Sequence, residues 1–439
     1  MDYRFERVAT LGFAWLCLIQ SAVARETAAY VVLGSEGQAI VRVLAGPDQA
    51  CPGLDVDGRS LPMRVRAEPQ TEGLRQQAAF PVLACELVLP EHAHHVLFEG
   101  RELPLPVATV QRIVVLGDSG CRMKWPVSFQ DCNDPARWPL ARIARSAAAE
   151  HPDLVIHVGD YNYRESRCLT GGCSGSPHGY GWDTWWADFF DPAKTLLEAA
   201  PWVMIRGNHE SCARAGQGWF RFLDARGYDT TRACRGGPPY AEDFTEPFAV
   251  PLGKQRQLIV FDSAGASDHN RLETYAIRWA QAAELAARQP YNWLVLHHPV
   301  LGYGYRPLSG YFTDGGAAGA ALEGSRFPDL TPSNIQLVLQ GHIHTFEINQ
   351  FQGNLPLSLL AGIGGSALED SFPDGLPQSI GIIPGARLIQ SRSSQQFGYV
   401  LLERREQDWV LYEKDPEGGV RRQCTLTLVQ PPYALNCEP

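Results

Sequence analysis

Five times along this chain a short apolar run stops and residues able to hold a metal follow at once. Ile113 to Gly117 leads to Asp118, Leu154 to Gly159 to Asp160, Trp202 to Gly207 to Asn208 and His209, Trp293 to Leu296 to His297 and His298, and Ile335 to Gly341 to His342 and His344. Runs of this length, separated by helical stretches, read as strands of an α/β domain. In open α/β sheets ligands bind beyond the carboxyl ends of the strands. Such a fold would deliver Asp, Asp, Tyr, Asn, His and His-x-His to one crevice, Tyr163 coming from the second segment. These are hard oxygen and imidazole donors, suited to divalent and trivalent cations and not to soft copper(I). Each segment alone reads as an ordinary turn, a helix cap or a pair of satisfied histidines. Five in order, each after a strand, make chance a poor explanation. In Gly341-His342-Ile343-His344 strand alternation puts both imidazoles on one side, which a metal pair needs.

Composition narrows the rest. Of 439 residues 45% are hydrophobic, and 38 Lys and Arg face 48 Asp and Glu, a net charge of −10. That excludes a disordered chain and a basic nucleic-acid binder. An anionic substrate would need a local positive centre, and bound cations are the strongest candidates. Arg4 and Arg7, the apolar run Val8 to Ile19 and the small-residue site Ala22-Val23-Ala24 read as a signal peptide over residues 1–24. The run is too short to span a bilayer, and no later one approaches about 18 residues, so the expectation is an exported protein, periplasmic or extracellular, with no membrane span after signal removal. Cys17 would leave with the signal. Ten cysteines remain, an even set that suggests disulfides in an oxidising compartment. Pairing of sequential neighbours would join Cys51 to Cys85, Cys121 to Cys132, Cys168 to Cys173, Cys212 to Cys234 and Cys424 to Cys437. No paired Cys-x-x-Cys spacing supports zinc instead.

Residues 25–108 show short apolar runs between turn residues, as in a small all-β domain, and Leu103-Pro104-Leu105-Pro106 marks its end. Residues 109–412 form the α/β catalytic region, with a helix expected over Arg271 to Gln289 and a closing hairpin from Phe397 to Leu402 and Trp409 to Tyr412. Residues 413–439 are a disulfide-bearing tail. The Gly/Ala/Ser-rich pieces 313–324 and 362–398 read as loops.

The series Gly-Asp-Ser-Gly, Gly-Asp-Tyr-Asn-Tyr, Gly-Asn-His-Glu, an apolar strand ending in His-His-Pro, and Gly-His-Ile-His resembles the five-motif signature of the calcineurin-like metallophosphoesterases. The Asp-x-Gly and Asp-x-x-Tyr forms resemble those of purple acid phosphatases. The resemblance covers about residues 110–412. It implies a four-layer α/β/β/α sandwich, preceded here by the small β domain, and a dinuclear metal centre. It also implies that Asp118, Asp160, Tyr163 and His344 bind the first metal, that Asp160 as bridge, Asn208, His297 and His342 bind the second, and that His209 lies near the substrate. In the fourth motif, Val-x-x-His counted from Val295 selects His298, whereas His-x-Pro before Pro299 selects His297; we take His297.

A phenol with a pKa near 10 becomes a ligand only at a strongly Lewis-acidic ion, which favours iron(III) at the first site. Zinc, manganese or iron(II) suits the second. The expected reaction is in-line displacement at phosphorus by a metal-activated hydroxide on a small-molecule phosphate ester. Asn208 would help clamp the phosphate, and His209 would stabilise charge or protonate the leaving oxygen, with activity extending to acid pH. A phosphomonoesterase is the first reading. A phosphodiesterase on nucleotide or lipid-headgroup esters and a secreted binding protein with a structural metal site are the alternatives. Trp182, Trp185 and Trp186 are expected in core packing more than at the rim, Arg214, Tyr303 and Tyr305 are candidate substrate contacts, and Gly362 to Ser366 reads as a turn more than an anion cradle.

Overall fold

A computed structural model describes residues 28–70, 78–230, 234, 244–324, 334–370, 372, 373, 377 and 386–438. The proposed signal segment lies outside these residues. Two sheets stack face to face. The first has 11 strands in the order Ala434–Cys437, Val420–Thr427, Asp408–Lys414, Tyr399–Arg405, Arg112–Leu116, Leu154–His157, Trp202–Met204, Ala28–Leu33, Ala39–Ala45, Leu83–Val88 and Arg64–Ala67. The second has seven: Phe248–Gly253, Arg256–Val260, Tyr291–Val295, Ile335–Gln340, Leu357–Ala361, Phe346–Phe351 and Leu388–Ser394.

Alternation along each strand builds the layers. Ile113, Val115, Ile156 and Val203 of the first sheet meet Leu258, Val260, Trp293, Val295, Leu337 and Leu339 of the second in one buried core. Their neighbours Val114, Leu116, Val155 and Trp202 face outward onto the helices Leu140–Ala149 and Lys194–Leu197. Ile259, Phe261, Leu294 and Leu296 face the helix Leu272–Ala286 on the other side. The result is helix, sheet, sheet, helix, as expected.

The N-terminal residues are all β, as expected, but they share the first sheet: Ala28–Leu33 runs parallel to Trp202–Met204 with Val32 opposite Trp202. A separate four-stranded sheet holds Gly53–Val56, Arg59–Pro62, Val96–Phe98 and Arg101–Glu102. The C-terminal residues add two strands to the far edge, with Cys424 opposite Cys437. All five expected disulfides are present. Two segments read as loops are not entirely so. Gly316–Glu323 is a helix, because alanine is the best helix former and small residues let it approach Leu272–Ala286, where Trp279 Nε1 donates to Ala318 O at 2.8 Å. Leu388–Ser394 is an edge strand beside Phe346–Phe351.

Candidate active site

The parallel register sets the site. Leu154–His157 pairs with Arg112–Leu116 on one side and Trp202–Met204 on the other, so Asp118, Asp160 and Asn208 emerge at one edge of the first sheet. Tyr291–Val295 pairs with Ile335–Gln340, which places His297 and His342 at the matching edge of the second. Asp118, Asp160 and His342 hold φ values of 54°, 60° and 71°. Non-glycine residues rarely sit in this left-handed region, and such conformations concentrate at functional sites.

Asp160 Oδ2 is the centre. It accepts the Tyr163 hydroxyl at 2.9 Å and lies 3.2 Å from His297 Nε2. On the Tyr163 side, the phenol oxygen is 3.1 Å from Asp118 Oδ1 and 2.8 Å from His344 Nε2, which is itself 3.3 Å from Asp118 Oδ1. On the other side, Asn208 Oδ1 lies 3.1 Å from His297 Nε2 and 2.9 Å from His342 Nδ1. Two donor clusters thus share one carboxylate oxygen. Asp160, His297 and His342 offer ligand atoms within 4.8 Å of one another.

Two details fit these clusters to cations. The imidazoles turn their outer nitrogens to oxygen acceptors: His297 Nδ1 to Val158 O at 2.8 Å, His344 Nδ1 to Ala367 O at 2.6 Å, and His342 Nε2 to Asp314 Oδ2 at 3.1 Å. That leaves the inner lone pairs facing the cluster, the usual arrangement of metal-binding histidine. Asn208 also points its amide oxygen at the imidazole nitrogens, while half a turn would let it donate to them and accept from Arg214 Nη1 at 2.8 Å. Oxygen-inward suits a cation.

His297 belongs to this cluster and His298 does not. The His298 Nε2 atom faces Ser267 Oγ at 3.3 Å, and its ring packs against His342. Burial opposes the charged form of His297, yet Asp160 beside it carries the imidazole up to about 9. Burial, then the carboxylates of Asp160 and Asp118, push the Tyr163 phenol well above its usual range, an effect that a bound cation would reverse. His209 lies just outside, its ring 3.8 Å from that of Tyr163, with Nδ1 2.9 Å from Glu165 and 3.0 Å from Asn162 O. Burial and then Arg214 push it down to about 4.

Several residues with work to do here lie outside the expected ligand set, Glu210 within the Gly-Asn-His-Glu motif and the others outside any motif. Glu210 is fully buried and accepts amide N–H groups of Asp160, Tyr161, Asn162 and Gly207 at 2.8 to 3.2 Å, tying the second motif to the third. Asp188 accepts the amides of Cys121 and Tyr163 and pairs with Arg164. Asp314, Glu165 and Arg122 also reach the site. Arg214 meets His209, but Tyr303 bonds Ser391 and Tyr305 packs on Tyr311. Trp182 and Trp185 are core residues. The amides of Gly364 and Ser366 donate to Gly117 O and Asp118 O, so they are not free to cradle an anion.

Residues 111–346 match the family described as calcineurin-like phosphoesterase, and the chain belongs to that family of phosphoester hydrolases. Among solved structures, purple acid phosphatase PPD1 from yellow lupin (Lupinus luteus) seeds is similar at 16% identity, with a TM-score of 0.55 over 91% of this chain and 74% of that one. PhoD is similar at 13% identity, with a TM-score of 0.51 over 93% and 91%. At these identities the likeness is one of fold. No curated protein matches the chain in sequence. A dinuclear metal centre is typical of the family, and the two donor clusters sharing Asp160 fit it. Among the described residues no helix is long and apolar enough to cross a membrane.

Proposed function

We propose that the protein is an exported phosphomonoesterase of the purple-acid-phosphatase kind, acting on small phosphate esters. The observation that carries this reading is the phenol of Tyr163 lying 2.9 Å from the Asp160 oxygen shared by both donor clusters. Asp118, Asp160, Tyr163 and His344 would hold the first metal, and Asp160, Asn208, His297 and His342 the second. A phenol ligand favours iron(III) in the first position, and the Asn/His set suits zinc, manganese or iron(II) in the second. When bound, the pair would activate water and clamp phosphoryl oxygens for in-line displacement.

The chain's own contribution is orientation. Asp160 Oδ1 accepts the His209 amide N–H at 2.8 Å, which locks the third motif onto the second. Glu165 and Asn162 O hold Nδ1 of the His209 imidazole, and Nε2, 3.9 Å from Asp160 Oδ2, accepts from Arg214 Nη2 at 2.8 Å. With Arg214 on Nε2 and the imidazole pushed toward its neutral form, His209 and Arg214 together are placed to stabilise charge on the phosphoryl group. Five disulfides fit an oxidising compartment and hence export.

The test compares para-nitrophenyl phosphate with its bis ester, using metal-loaded mature protein between about pH 4 and 9. Faster monoester turnover with activity at acid pH supports the proposal. A preference for the bis ester moves the assignment to a phosphodiesterase, and metal binding without hydrolysis of either ester points to a binding protein.

A further inference from the structure

We propose that Arg122 and Arg214 form a guanidinium pair that recognises the second negative charge of a phosphate monoester. This rests on the phosphomonoesterase reading and names the residues that would give it its selectivity.

The chain as a whole is acidic, at −10, so positive charge near the site has to be local. Arg122 Nη2 lies 3.1 and 3.3 Å from the two ring nitrogens of His344, and its guanidinium carbon is 5.5 Å from the centre of the Tyr163 ring. Among the described residues no carboxylate is within ion-pair distance of it. Arg214 meets the neighbouring His209. Its Nη2 is 2.8 Å from His209 Nε2, and Glu165 anchors it by an ion pair. Tyr163 links the two groups: its ring is 5.5 Å from the Arg122 guanidinium carbon and 3.8 Å from the His209 ring that Arg214 contacts.

Both arginines are fastened at their roots. Arg122 directly follows Cys121, which is bonded to Cys132, and Arg214 comes two residues after Cys212, which is bonded to Cys234. Each guanidinium has five donors; Glu165, His209 and Tyr180 take some of those of Arg214, whereas among the described residues the hydrogen-bonding contact of the Arg122 side chain is made through Nη2 to His344 alone. A monoester dianion has one more charge and one more terminal oxygen than a diester. Planar forked donors suit those oxygens, and a diester would put an ester substituent in place of one of them.

The experiment measures kcat and KM for para-nitrophenyl phosphate and its bis ester, and the affinity for inorganic phosphate by calorimetry, in Arg122→Ala, Arg214→Ala, Arg122→Lys and Arg214→Lys, with metal content and melting checked for each. The expected result is a rise in monoester KM and a loss of phosphate affinity of about 10-fold or more for each Ala variant, from charge-assisted hydrogen bonds, with a smaller change for the bis ester and partial recovery in Lys. Equal losses on both esters, or unchanged phosphate affinity in well-folded, metal-loaded variants, overturn the pair even where the wild type prefers monoesters. A wild type that prefers the bis ester overturns the phosphomonoesterase reading instead. A variant that melts early or loses metal is judged through its Lys counterpart, where phosphate affinity equal to that of wild type also counts against the pair.

Discussion

Asp314 Oδ2 lies 3.1 Å from Nε2 of His342, on the opposite side of the ring from Asn208. An acceptor at Nε2 fixes the tautomer that presents Nδ1 to the cluster, and outer partners of this kind typically change metal affinity 10- to 100-fold. Asp314→Ala is therefore expected to weaken retention of one of two metals by about that factor, with the fold unchanged. Metal titration against a chelator, read by elemental analysis, checks it, and equal retention in variant and wild type would remove Asp314 from the account.

His297 and His298 are neighbours with different fates. His297 reaches Asp160, whereas His298 faces Ser267. His297→Ala is expected to lose one metal equivalent and most activity, and His298→Ala to keep both equivalents. The reverse pattern would assign the ligand to His298.

Gly207 has no room for a side chain. A Cβ there would lie 2.1 Å from Asp160 Oδ1 and 2.4 Å from the Asp160 nitrogen. Gly207 is outside the left-handed region, at φ −96°, so the cost is steric. Gly207→Ala should destabilise by about 1–3 kcal/mol and displace the central carboxylate, with metal content and hydrolysis falling together. An active, metal-replete Ala variant would refute the packing argument.

Glu347 sits fully buried on the strand Phe346–Phe351, which is paired on both sides, with Oε2 accepting from Asn349 and the Tyr303 amide and Oε1 unpartnered among the described residues. Burial pushes its carboxyl up to about 8 from an ordinary value of 4.5. Its folded pKa is raised, so the stability it contributes is complete below the unfolded value and fades as pH climbs through the folded one. Glu347→Gln should match the wild type near pH 5 and exceed it near pH 9, by an amount of order a few kcal/mol. Melting curves at both pH values decide the point, and parallel pH dependence in the two proteins would contradict it.

The legible parts of this chain were those written as local pattern. Strand followed by Gly-Asp, Gly-Asn-His or Gly-His-x-His is a short-range signal, and so the five strands leading to the site and most of their ligands could be read directly. The helix Leu272–Ala286 showed its apolar stripe through Tyr275 and Trp279. The helix Gly316–Glu323 did not, because a run of Gly and Ala is nearly uniform around the helix and shows no contrast between an apolar and a polar face. The continuation of the first sheet into the N-terminal strands depends on Val32 meeting Trp202, a pairing 170 positions apart that no local pattern encodes. Asp314, Asp188 and Arg122 were hidden for the same reason. An isolated acid or arginine becomes part of a site only when the fold brings a ligand to it.

The central claim is that Asp160 is shared between two metals. The most direct measurement is elemental analysis of purified, reconstituted wild type beside Asp160→Asn, with phosphate-ester hydrolysis on the same samples. The account predicts about two metal equivalents and hydrolysis in the wild type, with at most one equivalent and negligible turnover in the variant. Full metal content and undiminished hydrolysis in Asp160→Asn would contradict it.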